Sequence, residues 1–299
     1  MTQKTNAYLI SAYLEPLALK RLVDALNIEH KVDFYIHIDA KASISQFLTP
    51  LQDYPNVIFL KGCERVAVHW GGYSQVQMQY NLIQKMLSSN TTYLRIFNLT
   101  GTDYPLVSNR TLLTLPPDNK EFIIGYDVSH ETKINPQKGS MQNKFLYYHF
   151  MDTRFTSFLN RRHIKKKNRY DLLGYDFYFG SEYWCLSYNC LKDIFQIYSG
   201  DKKLQKILRY SFVPSEAWIH TVFFNSKWAS QGERYCDIYK GLHSLSPVHY
   251  FEYGEKIKIL TEKDWEKISS SGKFFCRKVQ SGVSDKLILQ INKTRQEDD

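Results

Sequence analysis

The segment VDFYIHIDAK, residues 32–41, predicts the fold class. Its first seven residues, Val32–Ile38, are typical of a buried strand that ends directly before Asp39. A second strand-like run, Ala7–Ser11, comes first, and between the two runs apolar residues recur at helical spacing from Leu19 onwards. A strand, a helix and a strand in this order predict an α/β fold: a central mixed, mostly parallel sheet flanked by helices. Ligands of such sheets bind at the carboxyl ends of the strands, which is where Asp39 lies.

Two aspartates lie just after predicted strands. Asp39 could accept hydrogen bonds from a ribose or a uracil, although an aspartate that ends a strand is equally common in turns. Asp103 lies in the polar loop that follows the predicted strand Tyr93–Leu99, and loops in this place carry many binding sites. It could bind a ligand hydroxyl or be a satisfied turn residue. Both aspartates are candidate substrate-binding residues, and the turn alternative stays open for each.

A Gly-Gly turn precedes another predicted helix. In the run VAVHWGGYS, residues 66–74, Gly71 and Gly72 allow the backbone to approach a ligand closely, and the following helix N-terminus could face an anion. Trp70 adds an aromatic ring, and such rings suit stacking on a sugar or a base. Trp70 and Gly71 are therefore candidate substrate-binding residues, although most turns of this kind are structural.

The stretch VPSEAWIHTVFFNS, residues 213–226, carries the candidate catalytic residue. Pro214 discourages helix before it and Ser215 is a good N-cap, so the apolar periodicity that follows predicts a buried helix from here. Glu216 then falls in the first turn, where the helix dipole favours a carboxylate. An ionised carboxylate whose pKa is raised by aromatic neighbours can act as a general base. The alternative is a glutamate that merely stabilises the helix.

Two further segments offer binding groups. In GSEYWCLS, residues 180–187, Glu182 and Trp184 provide a carboxylate and an aromatic face, which suit sugar hydroxyls and C–H groups. In FFCRKV, residues 274–279, Arg277 and Lys278 are adjacent and would point to opposite faces of a regular strand. Both can reach one ligand only if the segment bends or ends there.

Composition limits the remaining possibilities. A net charge of +9 in 299 residues, with a pI near 9.1, predicts an anionic partner: a nucleic acid, a nucleotide, a membrane surface or an acidic glycan. Five cysteines without C-x-x-C spacing argue against a disulfide framework and a structural zinc site. We find neither a signal peptide nor an apolar run long enough to span a bilayer, so we expect a cytoplasmic protein.

Between Ser129 and about Arg169 the periodicity fades, and this segment ends in the basic run Arg161–Arg169. Long irregular segments within α/β domains are often functional loops. The run could contact an anionic acceptor glycan, a lipid headgroup or a phosphate backbone. It could equally be a solvated loop, because charge runs usually are.

Six motifs occur in one order along the chain: VDFYIHIDAK (32–41), HWGGYS (69–74), NLTGTDYPL (98–106), GSEYWCLS (180–187), PSEAWIHTV (214–222) and FFCRKV (274–279). This set resembles the core-2/I-branching β-1,6-N-acetylglucosaminyltransferase family, glycosyltransferase family 14, which also includes the peptide O-xylosyltransferases. The xylosyltransferase branch is the more similar, through the W-G-G, D-Y-P, P-x-E-x-x-x-H-T and F-F-x-R-K patterns. The resemblance covers roughly residues 7–280, nearly the whole chain.

The resemblance implies one GT-A-like catalytic domain with a nucleotide-sugar-binding half (1–128), an acceptor-binding and catalytic half (129–284) and a C-terminal tail helix (285–299). It implies an inverting transfer of a sugar, xylose or N-acetylglucosamine, from a UDP-sugar to a glycan or glycolipid acceptor. No metal ion or other cofactor and no nucleic-acid partner is expected. A bacterial-type member of this kind would be cytoplasmic, with peripheral contact to the inner face of the membrane or to an anionic glycan through Arg161–Arg169.

The resemblance also implies residue roles. By position, Glu216 matches the family's general base, and Arg277 and Lys278 match the groups that hold the donor diphosphate. Asp39 matches the aspartate that contacts the nucleoside, and Glu182 matches an acidic residue near the donor or acceptor sugar.

The chain departs from the family pattern at several positions. Ser11-Ala12-Tyr13 replaces the usual His after the first strand, Cys276 replaces a small Ala, and Glu182 stands where xylosyltransferases carry Asp. His249 lies near the place where some members have another basic phosphate contact. These departures leave the choice of donor sugar open.

The chemistry is consistent with the resemblance. An inverting transfer needs a base for the acceptor hydroxyl and positive charge on the departing diphosphate. The chain has no D-x-D motif of the kind that holds a cation there, and Arg277 and Lys278 could supply the charge instead. A basic nucleic-acid-binding protein is an alternative, but no recognised motif supports it. A non-catalytic glycan-binding protein would not need Glu216 together with Arg277 and Lys278.

Overall fold

The computed structural model describes residues 2–28, 30–116, 120–128, 141–153, 156–160, 162, 164 and 176–298. Its strands are β1 (Thr2–Ala12), β2 (Val32–Ile38), β3 (Val57–Phe59), β4 (Thr91–Thr100), β5 (Asp103–Pro105), β6 (Ile124–Asp127), β7 (Tyr178–Phe179), β8 (Cys185–Ser187), β9 (Glu233–Tyr235), β10 (His249–Tyr250) and β11 (Phe275–Arg277). Its α-helices are α1 (Pro16–Leu26), α2 (Ser45–Leu48), α3 (Tyr73–Leu87), α4 (Asn109–Leu113), α5 (Asn143–Leu146), α6 (Thr156–Asn160), α7 (Tyr188–Gly200), α8 (Lys202–Leu208), α9 (Trp218–Phe224), α10 (Trp265–Ser269) and α11 (Asp285–Asp298).

The main sheet has five strands in the order β3-β2-β1-β4-β8. β1 pairs in parallel with β2 and β4, and β2 pairs in parallel with β3. Only β8, at one edge of this sheet, runs antiparallel, against β4. The central strand β1 is buried from Asn6 to Ile10, as expected for a strand covered on both faces. The predicted α/β fold with a mostly parallel sheet is therefore confirmed.

The loops that follow β1, β2 and β4 lie at one edge of the main sheet. Backbone hydrogen bonds hold them together: the Asp39 amide donates to the Ala12 carbonyl (2.9 Å), and the Gly101 amide donates to the Ser11 carbonyl (2.9 Å). Glycine is needed at 101, because a Cβ there would lie 2.8 Å from that of Ala12. This edge is the carboxyl end of the parallel strands, where α/β folds bind ligands.

Two smaller sheets complete the architecture. One has the order β10-β11-β5 and the other β7-β6-β9. In the first, Arg277 is the direct cross-strand partner of Asp103. β9 is confined to Glu233–Tyr235, which pairs with β6, and the Tyr239 ring centroid lies 5.8 Å from that of Tyr126.

The largest hydrophobic cluster extends in sequence from Ala7 to Phe251, and β8 of the second half joins the sheet of the first. The C-terminal helix α11 packs against the rest of the fold. Its Leu287 and Ile291 are buried, and the Arg295 guanidinium donates to the carbonyl oxygens of Val107 and Ala25 (2.8 Å each). No helix in the described part of the chain is long and apolar enough to cross a membrane.

Candidate active site

Glu216 lies in a tight turn rather than in the first turn of a helix. Val213 has a left-handed backbone (φ 50°), residues 214–216 form a single 3₁₀ turn, and α9 begins only at Trp218. The Glu216 carbonyl accepts a hydrogen bond from the Gly180 amide (2.8 Å) instead of continuing a helix. Ser215 caps nothing, and its hydroxyl has no partner among the described residues. The predicted N-cap is therefore wrong, because a tertiary hydrogen bond replaces the local one.

The Glu216 carboxylate is largely withdrawn from water, with 16% of its side chain exposed. Burial raises its pKa to about 8; the nearby Lys144 ammonium opposes this shift and the Glu182 carboxylate adds to it. The Lys144 Nζ lies 4.0 Å from Glu216 Oε2. Once ionised, a carboxylate with a raised pKa is a stronger base than an ordinary glutamate, which suits general-base catalysis.

Glu182 occupies a neighbouring position, held by two hydrogen bonds. Its oxygens accept from Gln79 Nε2 (2.9 Å) and from the Tyr183 hydroxyl (3.1 Å). Gln79 Oε1 in turn accepts from the Trp218 indole N–H (2.6 Å), which ties Glu182 to the start of α9. Burial raises the pKa of Glu182, and the charge of Arg277 opposes that shift. Glu182 therefore interacts electrostatically with both Glu216 and Arg277.

Asp103 is completely buried and its oxygens are occupied. They accept hydrogen bonds from the Thr100 amide and hydroxyl (2.7 Å each), and Oδ2 lies 3.0 Å from His249 Nε2. Arg277 Nε lies 3.7 Å from Oδ1. Burial opposes ionisation, but His249 and Arg277 outweigh it and lower the pKa of Asp103. Asp103 is thus the satisfied turn residue of the two alternatives, and it anchors Arg277 rather than facing a ligand.

β11 ends at Arg277, and Lys278 follows it directly. Because the strand ends here, both side chains can reach one ligand. The Arg277 guanidinium lies 4.4 Å from the Tyr183 ring centroid, and its Nε and Nη1 have no hydrogen-bond partner among the described residues. Lys278 is half-buried. Buried guanidinium N–H groups without partners suit an anion such as a phosphate.

His249 and Trp184 are placed differently from expectation. His249 is buried, is bonded to Asp103 through Nε2 and stacks on Phe275 with ring centroids 5.2 Å apart. Trp184 lies in the main hydrophobic cluster with 1% of its surface exposed, so its ring presents no face to a sugar. The prediction for Trp184 does not fit this burial: residues 184–186 are all buried, and Trp184 packs into the core directly before β8.

The remaining candidates lie at the loops of the sheet edge. Asp39 Oδ1 accepts from the Lys41 amide (2.8 Å), which is local turn chemistry, and its carboxylate stays near the ends of β1 and β2. Trp70 is 71% exposed and meets the Phe212 ring edge-on at 5.4 Å. Gly71 has φ 77°, and a Cβ there would come within 2.9 Å of Phe212. Its carbonyl accepts from the Val213 amide (2.9 Å), so this turn positions the Glu216 segment.

Two residues near the site, Lys144 and Tyr253, were not predicted from the sequence. Lys144 comes from the segment in which periodicity fades, and no motif marks it. Tyr253 is 51% exposed, and burial together with the charges of Glu216 and Glu182 raises the pKa of its hydroxyl. The only available signal for Tyr253 was the aromatic character of residues 247–253.

Two other expectations, the contacts of the basic run and independence from metal, stay predictions. Most of the basic run Arg161–Arg169 lies outside the described residues, so its contacts stay a prediction. In the described ranges, no group of three or more His, Cys, Asp or Glu side chains could hold a metal ion. Independence from metal stays a prediction as well.

Several curated proteins are similar to this chain. Xylosyltransferase oxt of Drosophila melanogaster is 24% identical over 292 residues, which cover 91% of this chain and 31% of that protein. Xylosyltransferase 2 of Rattus norvegicus is 27% identical over 214 residues, 70% of this chain and 23% of that protein. The N-acetyllactosaminide β-1,6-N-acetylglucosaminyltransferase of Homo sapiens is 21% identical over 189 residues, 60% and 43% of the two chains. The chain therefore spans less than half of each of these relatives.

Among solved structures, the 4-diphosphocytidyl-2C-methyl-D-erythritol synthase of Anaerococcus prevotii matches with a TM-score of 0.39 and 12% identity, covering 90% of this chain and 96% of that one. The family model described as Core-2/I-Branching enzyme matches residues 6–237, which is most of the chain. The protein belongs to the Core-2/I-branching enzyme family, and the relatives just named are glycosyltransferases of that kind.

Proposed function

We propose that the protein is an inverting glycosyltransferase with a GT-A-like fold. It moves a sugar, xylose or N-acetylglucosamine, from a UDP-sugar to a hydroxyl of a glycan or glycolipid and forms a β-linkage without a metal ion. The observation that carries this proposal is that Glu182 interacts electrostatically with two groups of opposite charge. One is Glu216, a carboxylate with a pKa raised to about 8, and the other is Arg277, a buried cation whose Nε and Nη1 have no hydrogen-bond partner among the described residues.

Glu216 is the general base in this proposal. The acceptor oxygen attacks the anomeric carbon and gives its proton to the Glu216 carboxylate, while the bond from that carbon to the diphosphate oxygen breaks. Attack from the face opposite the leaving group inverts the configuration. Because Glu216 accepts no hydrogen bond from a described side chain, its oxygens can approach an acceptor hydroxyl.

Arg277 and Lys278 stabilise the diphosphate as it departs. An arginine can bind phosphate oxygens with two parallel hydrogen bonds, and a lysine adds a point charge. Asp103, which is itself bonded to His249, pairs with Arg277, so the guanidinium is positioned before the donor arrives. Preorganised charge of this kind costs no rearrangement during the reaction.

Asp39 and Trp70 are proposed to line the donor side, at the loops after β2 and before α3. The basic run Arg161–Arg169 is proposed to serve the acceptor side, or to hold the protein peripherally at the inner face of a membrane. Neutralising its lysines and arginines should raise the KM for the acceptor and leave UDP affinity nearly unchanged. Equal acceptor kinetics in the variant and the parent would show that the run is a solvated loop without a role in acceptor binding.

Glu216→Gln tests the proposal. Calorimetry with UDP-xylose, UDP-N-acetylglucosamine, UDP-glucose and UDP-galactose first selects the donor, and UDP release with a panel of glycans then measures transfer. We expect kcat to fall about 10²–10⁴-fold with donor affinity unchanged, since loss of a general base has effects of that size. Glu64→Gln is a matched control, because Glu64 also pairs with a lysine but lies outside the site (2.7 Å to Lys85). A folded Glu216→Gln protein that transfers sugar at the parental rate would end this assignment.

The pH profile and a chelator give two independent checks. The base must be ionised, so kcat/KM should rise with pH up to about 8 and then level off. Transfer should continue in excess chelator. Activity that disappears in chelator and returns with Mn²⁺ or Mg²⁺ would refute metal independence without affecting the role of Glu216.

A further inference from the structure

The lysine beside the proposed base is held by aromatic rings. Lys144 Nζ lies 3.8 Å from the Phe179 ring centroid and 5.9 Å from that of Phe212. Its side chain is 24% exposed, so the ammonium is partly desolvated between these rings. Cation–π attraction strengthens with desolvation, and it contributes to holding the ammonium beside these rings.

The distance to the base is longer than in a close ion pair. Lys144 Nζ and Glu216 Oε2 are 4.0 Å apart, whereas Lys4 and Asp33 elsewhere in the fold approach to 2.6 Å. A lysine in direct contact would occupy the oxygen that has to accept a proton and would depress its basicity. At 4.0 Å the positive charge still favours the ionised form of Glu216.

The backbone keeps the two residues in this relation. The Lys144 carbonyl accepts a hydrogen bond from the Phe212 amide (2.9 Å), one residue before the left-handed Val213 that opens the Glu216 turn. The helix α5 is therefore attached to the segment that carries the base. Movement of one displaces the other.

The charges that act on Glu216 are unbalanced without this lysine. Glu182 is negative and disfavours ionisation of Glu216, and Tyr253 is neutral around pH 7 because its pKa is raised. Among the described residues, Lys144 is the cation within ion-pair distance of the carboxylate. Its charge therefore opposes burial and the second carboxylate in part, and the pKa of Glu216 still stays raised to about 8.

We propose that Lys144 is a positioning residue of the transfer reaction: its charge favours the ionised form of the Glu216 carboxylate from a distance at which both oxygens stay accessible to the acceptor. This inference rests on the proposed role of Glu216 as the base. Lys144 lies on α5, in a segment without a sequence motif, and in this proposal it sets the proton affinity of Glu216.

A titration of Glu216 tests the inference without any substrate. Protein labelled with ¹³C at the glutamate carboxyl carbons is titrated by NMR, and the Glu216 signal is identified by its absence in Glu216→Gln. In Lys144→Met, which keeps the volume beside the rings, the pKa of Glu216 should rise by about one pH unit or more. Lys144→Arg keeps the charge and should titrate like the parent.

Lys4→Met is the matched control. Lys4 also pairs with a carboxylate, its side chain is 19% exposed, and it lies at the start of β1, away from the carboxyl edge of the sheet. This variant should leave the titration of Glu216 unchanged. Lys144→Gln is a second variant if Lys144→Met does not fold.

Kinetics complete the test once donor and acceptor are identified. In Lys144→Met the rising limb of kcat/KM should move to higher pH, and at a fixed pH on that limb activity should fall about tenfold if the pKa of Glu216 rises by about one. An unchanged Glu216 titration in folded Lys144→Met and Lys144→Gln would overturn the inference. That result would leave the proposed base intact, which Glu216→Gln tests separately.

Discussion

Asp103 and Glu216 are both carboxylates withdrawn from water, yet the protein shifts their pKa values in opposite directions. Asp103 accepts two hydrogen bonds from Thr100 and faces both His249 and Arg277, so its pKa is lowered in spite of burial. Glu216 faces one lysine at 4.0 Å, and burial raises its pKa to about 8. Hydrogen bonds and neighbouring cations outweigh the cost of burying the Asp103 charge, whereas the single lysine beside Glu216 does not outweigh the cost of burial there.

This difference separates two tasks within one site. A compensated anion is a poor proton acceptor, but it holds its cationic partners rigidly in place. An uncompensated carboxylate is costly to bury, and it binds a proton strongly. We interpret the Asp103 cluster as the support of the leaving-group side and Glu216 as the reacting group.

Replacement of Asp103 should have the largest effect on stability. Asp103→Asn leaves the Arg277 charge buried without its counter-ion, and breaking one partner of a buried pair costs about 3–5 kcal/mol. Urea unfolding measures this loss. Asp24→Asn removes an exposed pair with Lys20 and should cost less than about 1 kcal/mol. Equal losses in the two variants would contradict the comparison.

Replacement of the cations should have the next largest effect, on ligand binding. Lys278→Ala or Arg277→Gln should weaken UDP binding by about 1.5–3 kcal/mol, the usual size for hydrogen bonds to charged groups. Calorimetry with UDP gives the affinity, with Lys286→Ala as control because that side chain is 80% exposed. Unchanged UDP affinity in both folded single variants would refute the diphosphate assignment.

Replacement of Glu216 by glutamine should change the stability of the folded protein in a pH-dependent way. The pKa of Glu216 is raised from 4.5 to about 8, so the folded protein retains this proton where the unfolded chain has lost it. The resulting stabilisation is present in full below about pH 4.5 and is lost as the pH rises through about 8. Glu216→Gln has no such loss, so relative to the parent it should become progressively more stable on going from acid to alkaline pH.

Melting temperatures of parent and Glu216→Gln at several pH values measure this gain. A constant difference between the two proteins at all pH values would show that Glu216 titrates normally. Asp103→Asn should move in the opposite direction, since a lowered pKa contributes stability that is present above the unfolded pKa and lost in acid.

Much of the architecture and part of the site could be predicted from sequence. The strands β1, β2 and β4 each contain a largely apolar run, at residues 7–10, 32–38 and 93–99, and such runs indicate burial directly. Glu216, Glu182 and Arg277 belong to motifs whose order along the chain resembles one family. Lys144 and Tyr253 could not be found in this way, because their roles depend on neighbours far away in sequence.

The sequence by itself determined the parallel α/β core, since apolar patterning and short connections leave few alternatives. Tertiary structure alone decided the local geometry and the charge states. The hydrogen bond from the Gly180 amide to the Glu216 carbonyl ends the turn at residues 214–216 before α9 begins. The register between β11 and β5 places Arg277 opposite Asp103. The pKa of a carboxylate depends on what surrounds it in space, so only the folded chain lowers the pKa of Asp103 and raises that of Glu216, the proposed base.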